Sequence, residues 1–208
     1  DPELKVRAAS VRSLMHCNQG DLAAQEEAHA ETLRRYVLER HRMQAVTYSM
    51  DSLELATLFR VHGRCIAGDL PGWQEAFAFS RSHEEALGLP FLRPYIHIYS
   101  SAPNSYAHTT KAYRAEMEEA VAYAAEYGQP FWVISGHVWL AHETVRNGSD
   151  EEGVTALEAA IGQMRAIGVV LGRVYHLATL ARGYALVGRA DEAEATITEA
   201  LHGIGKGR

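Results

Sequence analysis

Cysteine is scarce: Cys17 and Cys65 are the only two in 208 residues. Two thiols without C-x-x-C spacing exclude a disulfide framework and a paired zinc or redox site, and they suit a reducing compartment, so a cytoplasmic location is expected. Positive charge is in deficit, with 20 Lys and Arg against 26 Asp and Glu and a formal net charge of −6. A general nucleic-acid binder needs the opposite balance. Long apolar runs are missing too. Stretches such as Phe131 to Ile134 and Gly168 to Leu171 fall far short of the roughly 20 residues that span a bilayer. Proline is limited to 6 positions and charged residues to 22%, while 47% of the chain is hydrophobic, which excludes a disordered polymer. The opening residues Asp1-Pro2-Glu3-Leu4-Lys5 carry neither an initiator Met nor a secretory pattern, and they read as part of a longer protein.

Reaction chemistry is also missing. The zincin spacing H-E-x-x-H starts at His83-Glu84 and His142-Glu143 but reaches Leu87 and Arg146 where its second histidine belongs. Gly205-Lys206 lacks the earlier glycine and the following Ser or Thr of a phosphate loop. Gly203-x-Gly205 has no strand before it, and no G-x-S-x-G is present. His137 and His142 lie five residues apart, about 500° of helical rotation, and point away from each other as ligands. No enzyme, cofactor or metal site is expected.

What the sequence does contain is a period. Gly88-Leu89-Pro90-Phe91, Gly128-Gln129-Pro130-Phe131 and Gly168-Val169-Val170-Leu171 begin 40 residues apart. Each glycine follows a helix-period apolar stretch and suits the left-handed residue that ends a helix. Gly68, Gly148 and Gly188 form a second series on the same spacing, with His108 in the missing place. Between the markers apolar residues recur at three and four, as in Val154, Leu157, Ile161 and Met164. The pattern predicts helix pairs over 3–18 and 21–42, 51–67 and 71–87, 91–106 and 110–127, 130–146 and 150–167, and 170–187 and 190–203.

The fold class expected is all-α: a right-handed α-solenoid of about five helix-turn-helix units with a period near 40, forming one domain over 1–208 with a flexible tail at 203–208. The order Tyr184, Gly188, Ala193, Ile197, Ala200 has tetratricopeptide spacing. Asp150, Glu151 and Glu152, like Asp191 and Glu192, cluster at helix starts and complement the helix dipole. Cys17 and Cys65 occupy the same place in neighbouring units. Packed helix axes stand about 8–10 Å apart, beyond the Cα separation of about 7 Å that a bridge tolerates. Free thiols are expected, with a redox switch as the functional alternative. Two irregularities remain. Gly20 to Gly68 spans 48 residues rather than 40, as a longer second helix or a longer connection. Pro103 falls inside a first helix, predicting a kink or shortening around Ser100 to Ser105, from drift or from a partner-induced bend.

The run through Gly128-Gln129-Pro130-Phe131-Trp132, Gly148-Ser149-Asp150-Glu151-Glu152-Gly153, Met164-Arg165-Ala166-Ile167-Gly168, Leu180-Ala181-Arg182-Gly183-Tyr184 and Glu199-Ala200-Leu201 carries a likeness. It resembles the C-terminal tetratricopeptide region of bacterial multidomain signal-transduction ATPase regulators, adenylate cyclase-linked or LuxR-type. The resemblance covers about residues 120–202 and implies a regulatory arm that binds a protein or an effector, not ATPase or cyclase activity in this segment.

Stacked helix pairs use an inner groove lined by their first helices. Counted from the repeat positions, one inward column reads His62, Ala102, His142 and Arg182, with Tyr95, Tyr106, Tyr175 and Arg146 beside it. A polar, aromatic, mildly basic groove of this kind fits an acidic peptide or protein segment, with arginine giving bidentate recognition. The alternative is a small-molecule effector sensed in the same groove, and an enclosed pocket rather than an open channel would mark it. Trp132, Gly136, Trp139 and Leu140 fall at helical spacing and are expected to pack in the core. Partners are expected to be a protein segment, other domains of a parent protein, and a second copy through exposed stack ends, with no direct nucleic-acid or membrane contact.

Overall fold

The computed structural model describes residues 1–101, 111–148, 151–170 and 172–205, and all regular structure among them is helical. The chain divides into two compact units, Asp1–Ala107 and His108–Arg208, where the sequence suggested one continuous array. The division falls inside the third expected pair.

The first unit contains α1 (Pro2–Gln19), α2 (Leu22–Arg35), the short turns α3 (Leu38–His41) and α4 (Gln44–Tyr48), α5 (Ser52–Ile66), α6 (Leu70–Leu87), a 3₁₀ turn at Pro90–Leu92, and α7 (Arg93–Ser101). The additional residues of the first repeat are therefore a connection built from α3 and α4, not a longer second helix. Of the expected irregularity, Ser100 and Ser101 end α7, and Pro103 with the remainder of 102–105 lies outside the described residues. Aspartates start the helices: Asp1, Asp21, Asp51 and Asp69 each accept backbone N–H bonds from the first turn that follows, a cap worth about 1 kcal/mol. Helix α5 packs on both α1 and α2 as well as on its partner α6, and α7 packs on α5 and α6. Surrounded in this way, α5 buries an unbroken run from Ser52 to Phe59.

The second unit contains α8 (Lys111–Glu126), α9 (Pro130–Arg146), α10 (Glu151–Ala166), α11 (Arg173–Leu186) and α12 (Ala190–Gly205). Helix α9 packs on α8 and α10, and α11 packs on α9, α10 and α12. The neighbour pattern of α5 thus recurs at α11: each first helix touches both helices of the preceding pair and its own partner. Val138, Val145, Val154, Leu157, Ile161, Leu177, Leu180 and Tyr184 form one core. Burial of each of the larger apolar side chains is worth about 1.5–3 kcal/mol. The last helix continues through Gly203 to Gly205, so the tail expected from 203 onward begins in helix, and 206–208 lie outside the described residues.

The glycines on the 40-residue spacing all have positive φ, from 59° at Gly88 to 126° at Gly148. At Gly128 the reason is visible. Its N–H reaches the Ala125 carbonyl and the Gln129 N–H reaches that of Ala124, which closes α8 through a left-handed residue that a Cβ would strain. Arg189 then ties two repeats together at their helix starts. Its guanidinium bonds Glu151 of α10 at 2.8 Å and Glu192 of α12, and lies 4.4 Å from the Tyr184 ring centroid. Glu151, one of the acids at the start of α10, is thus an exposed ion-pair partner as well.

Candidate functional site

Helix α9 places His137, Leu140, Ala141 and Thr144 along one face, and α10 places Glu152, Gly153, Ala156, Ala159, Ala160 and Gln163 opposite. With Arg114 of α8 at the rim, they line a cleft of about 490 Å³ that opens to solvent on one side. Its α10 wall has no side chain larger than a methyl over two turns, so a ligand can approach the helix backbone closely. Arg114 does not stand free. It bonds Glu143 at 3.0 Å and Glu118 at 3.1 Å, and its Nη1 also lies 3.4 Å from the Thr144 hydroxyl. Two carboxylates neutralise the guanidinium, which makes the cleft a poor anion trap and a reasonable seat for an uncharged or mixed surface.

The residues expected to line a groove are distributed differently. Tyr106 lies outside the described residues. In the first unit Tyr95 is 4% exposed, and His62 is partly buried with Nε2 2.9 Å from the Tyr99 carbonyl. Burial lowers the His62 pKa to about 4, with the Tyr99 contact acting against it. In the second unit His142 is fully buried and stacks on Tyr175, the ring centroids 4.5 Å apart. Trp139 packs against both and against His176. Burial, and then the nearby His176 and Arg146, lower His142 to about 3; burial lowers His176 to about 4. Arg146 is half-buried and Arg182 exposed.

The groove assignment of His62, Tyr95 and His142 is therefore corrected: they sit in helix contacts. Counting along one helix supposes that a first helix has one free face, whereas α5 and α9, which carry His62 and His142, each pack on three or more helices. Among the described residues of that set, His142 and Tyr175 do pair, as an internal contact. Of the four residues expected in the core, Gly136 is buried and Trp139 joins this cluster, while Trp132 and Leu140 are half-buried, Leu140 on the cleft. Neither cysteine is in a disulfide; Cys17 is buried and Cys65 partly so.

A second polar cluster, in the first unit, escaped the sequence reading. Asp51 has no exposed surface and accepts from the Leu53 and Glu54 backbone N–H groups, from the Tyr36 hydroxyl at 2.7 Å and from His83 Nε2 at 3.0 Å. Beside it Glu54, also without exposed surface, accepts from the Ser80 hydroxyl, and its Oε2 has no hydrogen-bond partner. His97 Nε2 bonds Glu84 at 2.8 Å. Asp51 is fully buried, His83 nearly so and Tyr36 half-buried, and the cluster links α5, α6 and the α2–α3 junction. The Asp51-x-x-Glu54 spacing just before an apolar run was the available signal.

Burial pushes the Glu54 pKa well above its ordinary value, the Ser80 hydroxyl opposing and the Asp51 charge adding to it. A carboxyl with a raised native pKa binds its proton more tightly folded than unfolded, so stability falls as pH rises above the ordinary carboxylate range. The variant Glu54→Gln keeps the Ser80 bond and has no proton to lose. Urea unfolding is expected to show the variant less sensitive than wild type to a rise from pH 6 to 9; equal sensitivity would mean that the carboxyl is not held protonated.

No family model matches the chain, and neither a curated protein nor a solved structure matches it. Among the described residues no group of three or more His, Cys, Asp or Glu side chains could hold a metal ion, and no helix is long and apolar enough to cross a membrane.

Proposed function

We propose that the chain is a non-catalytic helical-repeat scaffold of tetratricopeptide type, and that the cleft formed by α8, α9 and α10 receives a peptide or protein segment. The observation that carries this reading is the open, methyl-lined α10 wall. Recognition there rests on shape and backbone approach, which suits a continuous segment laid along the groove, whereas a small effector is bound by enclosure. The repeat reading is supported by the recurring neighbour pattern of α5 and α11 and by left-handed glycines at 40-residue intervals. Stacking of units that cannot bury their apolar faces alone accounts for both. In a larger signalling or transcription-regulating protein such a scaffold serves as the arm that registers a partner.

Ala156 is exposed on the cleft wall, so Ala156→Arg fills the groove without touching the core. Peptides selected on the wild-type chain from a random display library are expected to bind the variant at least about tenfold more weakly, about 1.4 kcal/mol, with unchanged circular dichroism and Tm. Selected peptides that bind wild type and Ala156→Arg equally would place recognition elsewhere and reject the cleft.

A further inference from the structure

Arg165 and Arg173 converge at the start of α11. The Nη2 atom of each bonds the same oxygen of Glu199, Oε1, so a carboxylate from α12 is held between guanidinium groups of α10 and α11. All three side chains reach solvent, with 47%, 45% and 37% of their surface exposed. Two guanidinium groups on one carboxylate leave positive charge in surplus, the reverse of Arg114, whose single guanidinium meets Glu143 and Glu118. Both arginines also line a recess of about 10 Å³, together with Ile161, Met164, Val169 and His176. That volume holds about one oxygen atom. His176 is 5% exposed, and its Nδ1 is buried without a hydrogen-bond partner. Glycine seats the ring: a Cβ on Gly172 would stand 2.9 Å from His176 Nε2. The same glycine is the N-cap of α11, so no side chain caps the start of this helix, an end that favours negative charge.

From this convergence we infer that the start of α11 is a binding site for a phosphate dianion, free or carried as a monoester, with Glu199 as its internal competitor. One phosphate oxygen enters the recess and accepts from His176 Nδ1–H. The others take over the Arg165 and Arg173 bonds from Glu199. Burial keeps the imidazole neutral at neutral pH, and a neutral ring has one N–H to give, here on Nδ1. A dianion displaces the Glu199 carboxylate because it brings more charge to the two guanidinium groups and reaches the recess, which Glu199 does not line. The site is separate from the cleft formed by α8, α9 and α10 and does not depend on it.

Inorganic phosphate at pH 8 is titrated into the full chain, with sodium chloride holding the ionic strength constant, and binding is read from the backbone amide NMR shifts of Val174 and His176. Saturable shifts are expected. Glu199→Gln removes the competitor and is expected to tighten binding at least about fivefold, whereas Arg165→Gln together with Arg173→Gln weakens it at least about tenfold. These three exposed positions test the site without touching the core. His176→Phe keeps a ring against Trp139 and is expected to weaken binding at least about threefold, an effect that a site made by the arginines alone does not show. O-Phosphoserine is expected to bind as the free ion does, because the ester oxygen faces outward; its rejection would restrict the site to inorganic phosphate. Shifts that do not saturate, or an affinity unchanged by Glu199→Gln or by His176→Phe, would overturn the inference.

Discussion

Replacing Asp51 with alanine is expected to cost about 3–5 kcal/mol of stability, the largest effect of any single substitution considered. The carboxylate caps α5 through two backbone N–H groups, an interaction worth about 0.5–2 kcal/mol. It also accepts from the Tyr36 hydroxyl and from His83, which is 8% exposed. Alanine leaves both donors facing a dry pocket. Each buried unsatisfied group costs about 1–3 kcal/mol, and the methyl cannot refill the space the carboxylate held. Asp51→Asn separates these contributions. Its carbonyl oxygen retains the cap, its amide replaces only one acceptor, and the Tyr36 hydroxyl can rotate to accept from it. Urea unfolding is expected to rank wild type above Asp51→Asn above Asp51→Ala, with Tyr36→Phe losing about 1 kcal/mol. An Asp51→Ala protein within about 1 kcal/mol of wild type would show that water reaches the site and that the cluster does not hold the first unit together.

The contrast between what was legible in the residues and what was not follows from the range of the forces involved. A glycine that must adopt positive φ, as at Gly88, Gly128 and Gly168, is a local requirement of the chain, and its spacing showed the helix pairs directly. Helix starts at Asp21 and Asp69 are local for the same reason. Which side of a helix stays wet is decided by neighbours distant in sequence. Counting along one helix places His62 and His142 toward solvent, and the structure encloses them because α5 and α9, which carry them, each meet helices of neighbouring pairs as well as their own partner. The division between the two units was invisible for a related reason. Periodicity marks where helices begin and end, but it does not report that α7 packs back on α5 and α6 while α8 packs on α9. The cleft left a trace that went unused: Gly153, Ala156, Ala159 and Ala160 are small at helical spacing, and such a stripe reads equally well as close helix packing until coordinates show a gap above it.

The enclosed histidines carry the second large prediction, a loss of stability in mild acid. His29, His142 and His176 are at most 6% exposed, and burial lowers their native pKa values to about 4, 3 and 4. Arg60 adds to the effect at His29, and His176 and Arg146 add to it at His142. Unfolded histidine titrates near 6.5. Between that pH and about 4 the unfolded chain therefore binds more protons than the folded one, and stability decreases as pH falls through this window, being fully present above it. At pH 5 the loss is about 2 kcal/mol per histidine, about 6 kcal/mol for the three. That is comparable with the entire stability of many domains. The ring of His142 contributes its stack on Tyr175 whether or not it can titrate. His142→Phe is therefore expected to keep most of the packing at pH 7.5 and to lose about 2 kcal/mol less than wild type on transfer to pH 5. Denaturant unfolding at the two pH values measures the difference directly. An identical acid loss in wild type and in His142→Phe would mean that the α9–α11 contact admits the protonated ring, and the interior of the second unit would then have to be wetter than its packing indicates.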